Sequence, residues 1–419
     1  MFEFVKSLLK PGKYFLFINV IDRAASFLVF LILAKSLSPF IYGQIVTVFA
    51  ATSIVAAVFD FGLPIYIQRQ SAQSDNMQVV FLQTGLLKLL LSFVYLIVSL
   101  SIFLFFFKSI DWYVISIITG TVFFVSIGNS LQFYYHGKDN SRQVFISTLV
   151  TKVILLVIVS ITFIVYPNEY LFLSGYFVAN AFFVIHLLLR LKIYRIVISE
   201  ITKGRDLLKS TFKTILPLGF ASIFNILYDR IDVVLLSLLL NFNKVAQYNV
   251  AYMIYKLSVI LFSVFFYPAF NRLIRINNDK VKLLTLLRKL SLLIIVSSLF
   301  LTIIFYFVVP GILVKVFGNK YVEASELLPV LSIAIILIGL NNLTGIFLNA
   351  VGKFKDNFWA TLTGIIFNIL SNIILIKRFD VYGAVYSTIL TEGIILTLTF
   401  FSVYKFFRTK TNLDKNGYV

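Results

Sequence analysis

Charged side chains are few in this sequence, and several stand among apolar neighbours. The stretch NILYDRIDVVLL, Asn225 to Leu236, holds Asp229, Arg230 and Asp232 within four residues of an oily run. On a helix Asn225, Tyr228, Asp229 and Asp232 follow i, i+3, i+4 and i+7 and share one face, while Arg230 lies about 100° round from Asp229. The next apolar run carries a stripe of Tyr248, Tyr252, Tyr255, Lys256 and Ser263. Asp22 and Arg23 sit inside the first run, and Glu392 in the middle of the last. At the centre of a bilayer such a charge costs at least about 2.5–3.5 kcal/mol, so it faces protein or water and takes a partner. Arg23, Arg230 and Lys256 suit a polar cavity. Asp229 and Asp232 serve equally well as functional groups or as glue between helices, where an interhelical hydrogen bond averages about 0.6 kcal/mol.

These residues need elements to hold them, and composition decides which. The chain has 419 residues, 60% hydrophobic and 13% charged, against about 25% charged in soluble domains. Apolar runs of about 20 residues recur along it, each long enough to cross a bilayer as a helix. A β-barrel would need short alternating strands. The class is therefore an all-α polytopic membrane protein. Twelve spans are expected, at 14–34, 43–67, 79–107, 112–135, 144–166, 169–189, 214–240, 246–270, 288–309, 327–349, 357–376 and 382–404.

An even number of spans puts both termini on one side. Loops on that side hold 25 of the 37 Lys and Arg residues, including seven from Arg190 to Lys213. Opposite loops hold seven: Lys35, Lys108, Lys244, Lys315, Lys320, Lys377 and Arg378. The positive-inside rule places both termini in the cytoplasm. The net charge of +19 thus serves topology, and no nucleic-acid partner is expected. Spans 7 and 8 are joined by a short connection, which sets Asp229 and Asp232 at the depth of Lys256 and makes a pair feasible. Lys88 and Lys152 lie near enough to the cytoplasmic face to snorkel, and Asp60 is close to that face too.

The halves echo one another. NVIDR, Asn19 to Arg23, resembles NILYDR, Asn225 to Arg230, with Asp-Arg offset by 207; GKDNSRQVFISTL from Gly137 resembles GKFKDNFWATL from Gly352, offset by 215. Such a parallel repeat implies two six-helix lobes around a central cavity, the architecture of a transporter. The lobes are expected at 1–189 and 214–404, with a basic linker at 190–213 and a tail at 405–419. The chain lacks cysteine, and it has no GxxxxGK[ST] loop, metal cluster or nucleophile–base constellation. The two histidines, His136 and His186, fall near span ends. No enzyme is read here, and no metal, ATP or other cofactor is expected.

LAKSLSPFIYGQIVTVFAATSIVAAVFDFGLPIYIQR, Leu33 to Arg69, resembles the span 1–2 signature of the polysaccharide-export flippases (Wzx type) of the MATE-like MOP superfamily. The shared features are the Leu-Ser-Pro turn, the Tyr-Gly opening span 2 and the Asp-Phe-Gly-Leu at its end. IDVVLLSLLLNFNKVAQYNVAYMIYKL resembles the matching piece of the second lobe, and Pro329 and the Gly352-Lys353 segment also fit. The resemblance spans the whole chain. The twelve expected spans are two fewer than lipid II flippases typically carry.

That resemblance implies two pseudo-symmetric six-helix bundles in the bacterial inner membrane. It also implies flipping of an undecaprenyl-diphosphate-linked oligosaccharide by alternating access. Arg23, Arg230 and Lys256 would hold the diphosphate, since Arg grips phosphate oxygens bidentately, while Tyr252 and Tyr255 would stack on sugars. Asp22, Asp229, Asp232 or Glu392 would couple a proton or sodium gradient by changing charge between states. Membrane lipids, the lipid-linked glycan and a polysaccharide polymerase are the implied partners. The rival is a cation-coupled exporter of small molecules on the same fold, with acids as the primary site. A third alternative, a nontransporting lipid-binding scaffold, sits poorly with the repeat.

Overall fold

A computed structural model describes residues 2–73, 84–165, 167–191 and 204–408. Half of the expected linker, the start of span 3 and the tail beyond residue 408 lie outside these residues. Among them the chain is helical, without strands. The helices are α1 (Phe2–Ser36), α2 (Pro39–Asp60), α3 (Leu63–Gln73), α4 (Leu86–Phe106), α5 (Trp112–Gly137), α6 (Ser141–Val165), α7 (Glu169–Arg190) and α8 (Gly204–Leu239). They continue as α9 (Phe242–Arg275), α10 (Lys280–Phe307), α11 (Val309–Phe317), α12 (Val322–Ser332), α13 (Ala334–Ala350), α14 (Phe354–Phe379) and α15 (Val381–Arg408).

Local sequence sets the ends. In the Leu-Ser-Pro turn the Ser38 hydroxyl accepts from Ile41 N at 3.3 Å and Pro39 occupies the first turn of α2, as helix starts favour. Asp111, Asn168, Asn241 and Asp279 cap α5, α7, α9 and α10 in the same way. Span 2, expected as one run over 43–67, is broken. Phe61 (φ 37) and Gly62 (φ 71) take the left-handed conformation and re-aim the chain into α3, a turn that hydropathy does not register. The run expected as the tenth span falls on the bent pair α12–α13, with Pro329 inside α12 and a 48° bend at the break.

Nine described helices are long and apolar enough to cross a membrane, or ten if the bent pair is one span. Of the twelve expected spans, the remaining two fall on α8 and α9, continuous helices of 36 and 34 residues. Apolar stripes stand exposed on α4 (Phe93, Ile97), α6 (Val153, Val157) and α10 (Val296, Phe300). Surfaces of this kind belong against lipid rather than water.

The chain forms two compact units, Met1–Ser237 and Leu238–Val419. In unit 1, α5 packs on α2, α3, α4 and α7, and α1 runs along α6. One end of its core is built from Leu63, Tyr66, Leu131, Tyr134, Val144 and Leu187. In unit 2, α15 lies against α13 and α14, and α9 and α10 pack on α12 and α13.

Candidate functional site

The intramembrane charges sort into small constellations, each held by the packing of its own unit. In unit 1 the contact of α1 with α6 brings Asp22 Oδ1 to 2.7 Å from Lys152 Nζ, with side chains 53% and 12% exposed. Arg23, the next residue on α1, is exposed. On α8 Asp229 Oδ2 lies 3.4 Å from Arg230 Nε, both side chains more than a third exposed, whereas Asp232 is buried. Unit 1 thus has Arg23 exposed on α1 and Arg230 partly exposed on α8, the latter beside the carboxylate of Asp229.

Lys88 and Asp60, both expected near the cytoplasmic face, form a second constellation in which Lys88 is buried and Asp60 partly so. Lys88 on α4 pairs with Asp60 at the end of α2. Ser126 of α5 closes the ring: its hydroxyl accepts from Lys88 Nζ at 2.5 Å and donates to Asp60 Oδ1 at 2.6 Å. Lys88 is 3% exposed, so it is turned into the helix bundle and does not snorkel. The sequence carried a usable signal for both pairs. Asp22 and Lys152 stand equally deep in spans starting at 14 and 144, and Asp60 and Lys88 flank one interhelical connection.

In unit 2, α9 packs its tyrosines inward. The rings of Tyr248 and Tyr252 stack at 5.4 Å and 18°, and Tyr255 follows at 5.7 Å. Lys256 Nζ lies 5.0 Å from the centroid of the Tyr252 ring, an arrangement its quadrupole favours. Glu392, for which the sequence suggested no partner, is held by α13. Asn341 Nδ2 donates to its Oε2 at 2.5 Å and to its backbone carbonyl at 2.8 Å. A polar seam between α14 and α15 continues from there through Asn368, Thr391, Ser371 and Ser387, all buried.

At the end of unit 2 where α9 begins, Lys244 bridges Glu323 Oε1 at 2.5 Å and Asp380 Oδ2 at 2.7 Å. Partial burial pulls its pKa down, but the hydrogen bonds and charges of Asp380 and Glu323 outweigh this and leave it raised. Gln247 reinforces the joint by donating to Lys320 O and accepting from Ala324 N. In unit 1 the start of α5 is tied to α7, where the Tyr170 hydroxyl donates to Asp111 Oδ2 at 2.6 Å. Together with the Tyr113 N–H it lowers the Asp111 pKa. Among the described residues no group of three or more His, Asp or Glu could hold a metal ion.

The fold is that of known membrane transporters. An inward-facing multidrug resistance MATE family transporter of the MOP superfamily superposes with a TM-score of 0.77 at 14% identity, covering 97% of this chain and 100% of that one. The lipid II flippase MurJ gives 0.70 at 12%, covering 92% and 86%. A MOP superfamily transporter from Pyrococcus furiosus, described as having a binding pocket of reverse polarity, gives 0.65 at 13%, covering 97% of each chain. No curated protein matches by sequence. The family described as polysaccharide biosynthesis protein matches residues 8–274, well over half of the chain. With the Ser-Pro cap, the Asp-Phe-Gly break and the all-helical fold in place, the chain belongs to the polysaccharide biosynthesis protein family, on the fold of the MOP superfamily transporters.

Proposed function

We propose that the protein is a flippase that carries undecaprenyl-diphosphate-linked oligosaccharide from the cytoplasmic to the outer leaflet of the bacterial inner membrane. It crosses the bilayer twelve times with both termini in the cytoplasm, as the placement of its basic loops favours. The observation that carries the reading is the exposure of Arg23 on the apolar helix α1 and the partial exposure of Arg230 on α8. A guanidinium turned to lipid at that depth costs at least about 2.5–3.5 kcal/mol, so these faces meet water and an anion. A lipid diphosphate supplies that anion, and bidentate bonds from Arg fit its oxygens.

Lys256 completes the cationic set, positioned by the Tyr252 ring, with Tyr252 and Tyr255 close to the sugars. Asp22, Asp229, Asp232 and Glu392 are the acids through which an ion gradient drives the cycle, and a polysaccharide polymerase receives the product. Alternating access moves the headgroup while the polyprenyl tail stays in the bilayer.

The test is deletion of the gene, followed by complementation with Arg23→Ala, Arg230→Ala and Lys256→Ala at confirmed expression. Loss of surface glycan with accumulation of lipid-linked repeat units, restored by wild type and crippled in the variants, supports the reading. Intact glycan with altered drug sensitivity would assign the chain to small-molecule export. Full activity in all three variants sinks the cationic site.

A further inference from the structure

On the topology proposed above, α5 and α7 both begin at the outer face. There Trp112, Tyr113 and Tyr170 are 47%, 44% and 38% exposed, beside the exposed Asp111. The rings of Tyr113 and Tyr170 meet edge to face at 5.1 Å and 81°. Their hydroxyls turn to protein. Tyr170 donates to Asp111 Oδ2 at 2.6 Å. Ser174 gives its own proton to Tyr170 O at 2.7 Å, so Tyr113 donates to Ser174 Oγ, also at 2.7 Å. Asp111 Oδ1 accepts from the Tyr113 N–H at 2.8 Å.

A tyrosine at a membrane interface ordinarily keeps its ring among apolar groups and its hydroxyl in water. Tyr306, 49% exposed at the outer end of α10, is of that kind: among the described residues its hydroxyl makes no hydrogen bond. In unit 1 both hydroxyl protons are held by protein, which fixes the two rings in advance. Rings held this way lose little freedom when a ligand covers them. A carboxylate offers about four acceptor sites, and these bonds occupy two on Asp111. A pyranose matches such a surface, since it has an apolar C–H face and a rim of hydroxyl donors.

Unit 2 carries a related group at its own outer end. The Tyr382 hydroxyl donates to Glu326 Oε2 at 3.5 Å, and Tyr386 packs 6.3 Å from Tyr382 and 5.6 Å from Phe379. Tyr170 and Tyr382 stand 212 residues apart, and Asp111 and Glu326 stand 215 apart, in step with the internal repeat. The pairing of tyrosine with carboxylate therefore belongs to the repeated unit and not to one loop.

We propose that Asp111, Tyr113 and Tyr170 form a carbohydrate site on the outer face, where a sugar ring of the translocated oligosaccharide rests before release. The two tyrosines supply the stacking surface, and Asp111 accepts from sugar hydroxyls. Glu326, Tyr382 and Tyr386 are the counterpart in unit 2. The proposal rests on the flippase reading above and deepens it with a product-side site separate from the cationic set.

The test uses the full chain in phosphatidylethanolamine–phosphatidylglycerol nanodiscs. Trp112 adjoins the site, and the other tryptophan, Trp359, is 61% exposed on α14, so Trp359→Phe leaves Trp112 as the reporter. The probe is the free oligosaccharide released by mild acid from lipid-linked repeat units of the deletion strain. It should change Trp112 fluorescence saturably. Tyr113→Ala and Tyr170→Ala should raise half-saturation about threefold or more, the scale of one lost aromatic contact. Tyr113→Phe and Tyr170→Phe keep the rings and should bind more tightly than the alanine variants. Should an alanine variant fail to fold, Asp111→Asn keeps the helix cap and should weaken binding instead. No response in the reporter protein overturns the proposal, as does undiminished binding in the alanine variants or in Asp111→Asn. Phenylalanine variants as weak as alanine would reduce the cluster to a hydroxyl brace. A signal that follows phosphatidylglycerol content, compared with phosphatidylcholine discs, and not the oligosaccharide would make it an interfacial anchor. Either result also overturns the site. Absence of any accumulated lipid-linked oligosaccharide in the deletion strain is the separate failure of the flippase reading and removes the proposal with it.

Discussion

Gly62 and Gly219 meet backbone to backbone: a methyl on Gly62 would stand 2.7 Å from Gly219 N, and one on Gly219 would stand 2.6 Å from the Phe61 ring. The contact docks the first half of α8 on the α2–α3 break, where Phe61 and Phe220 also pack edge to face at 5.6 Å. Both Gly62 and its neighbour Phe61 are left-handed, so the turn and the close approach depend on one another.

Gly62→Ala should therefore incur two penalties, left-handed strain of about 1–2 kcal/mol and overpacking of about 1–3 kcal/mol. Gly352→Ala, at φ 77 with open space around it, should incur only the first. Thermal unfolding in detergent compares the two directly, and equal shifts would refute the docking role.

Asp22 and Lys152 should respond unequally to removal. Lys152 is the more buried partner, so Asp22→Asn strands a charge with little access to water, at a cost approaching the roughly 3–5 kcal/mol of a broken buried pair. Removing the lysine leaves a carboxylate that is half exposed. Lys152→Met should cost less, and the double variant should be less destabilised than the sum of the two. A double-mutant cycle on unfolding midpoints checks this.

The Lys244 clamp should loosen in alkali. Its pKa is raised in the folded state, so the stabilisation is fully present below the unfolded value of about 10.4 and is lost as pH rises through the folded value. Lys244→Met should remove that dependence, read as a flatter unfolding midpoint above about pH 10. Asp111 carries the opposite sign. Its lowered pKa contributes stability above about pH 3.9, lost as pH falls through the folded value. Tyr170→Phe should reduce that acid-side dependence.

Asn341→Ala should destabilise unit 2 by about 1–3 kcal/mol, because it removes a donor from the buried Glu392 side chain and from its carbonyl. Among the described residues Asn342 bonds along its own helix, to Ile338 O, and Asn342→Ala should cost less. Circular dichroism melts of the two variants decide the order.

Much of the architecture was legible because its causes are local. Apolar runs demand helices in a bilayer, and Ser38-Pro39 announces the start of α2 through chemistry confined to one turn. The Asp-Phe-Gly-Leu motif was visible as a pattern, yet its meaning was not. That Phe61 and Gly62 leave the helix depends on Gly219, more than 150 residues away.

Partnerships divided in the same way. The sequence alone fixed which residues bear charge inside the membrane and roughly how deep they lie, since helix rise and span ends set depth. It could not choose among partners at one depth, because that depends on which helices are neighbours and how each is rotated. Tertiary packing of α1 on α6 gave Asp22 to Lys152, and packing of α4 between α2 and α5 turned Lys88 inward to Asp60 and Ser126. Hydropathy averages over all faces of a helix, and only the fold decides which face meets lipid, water or another charge.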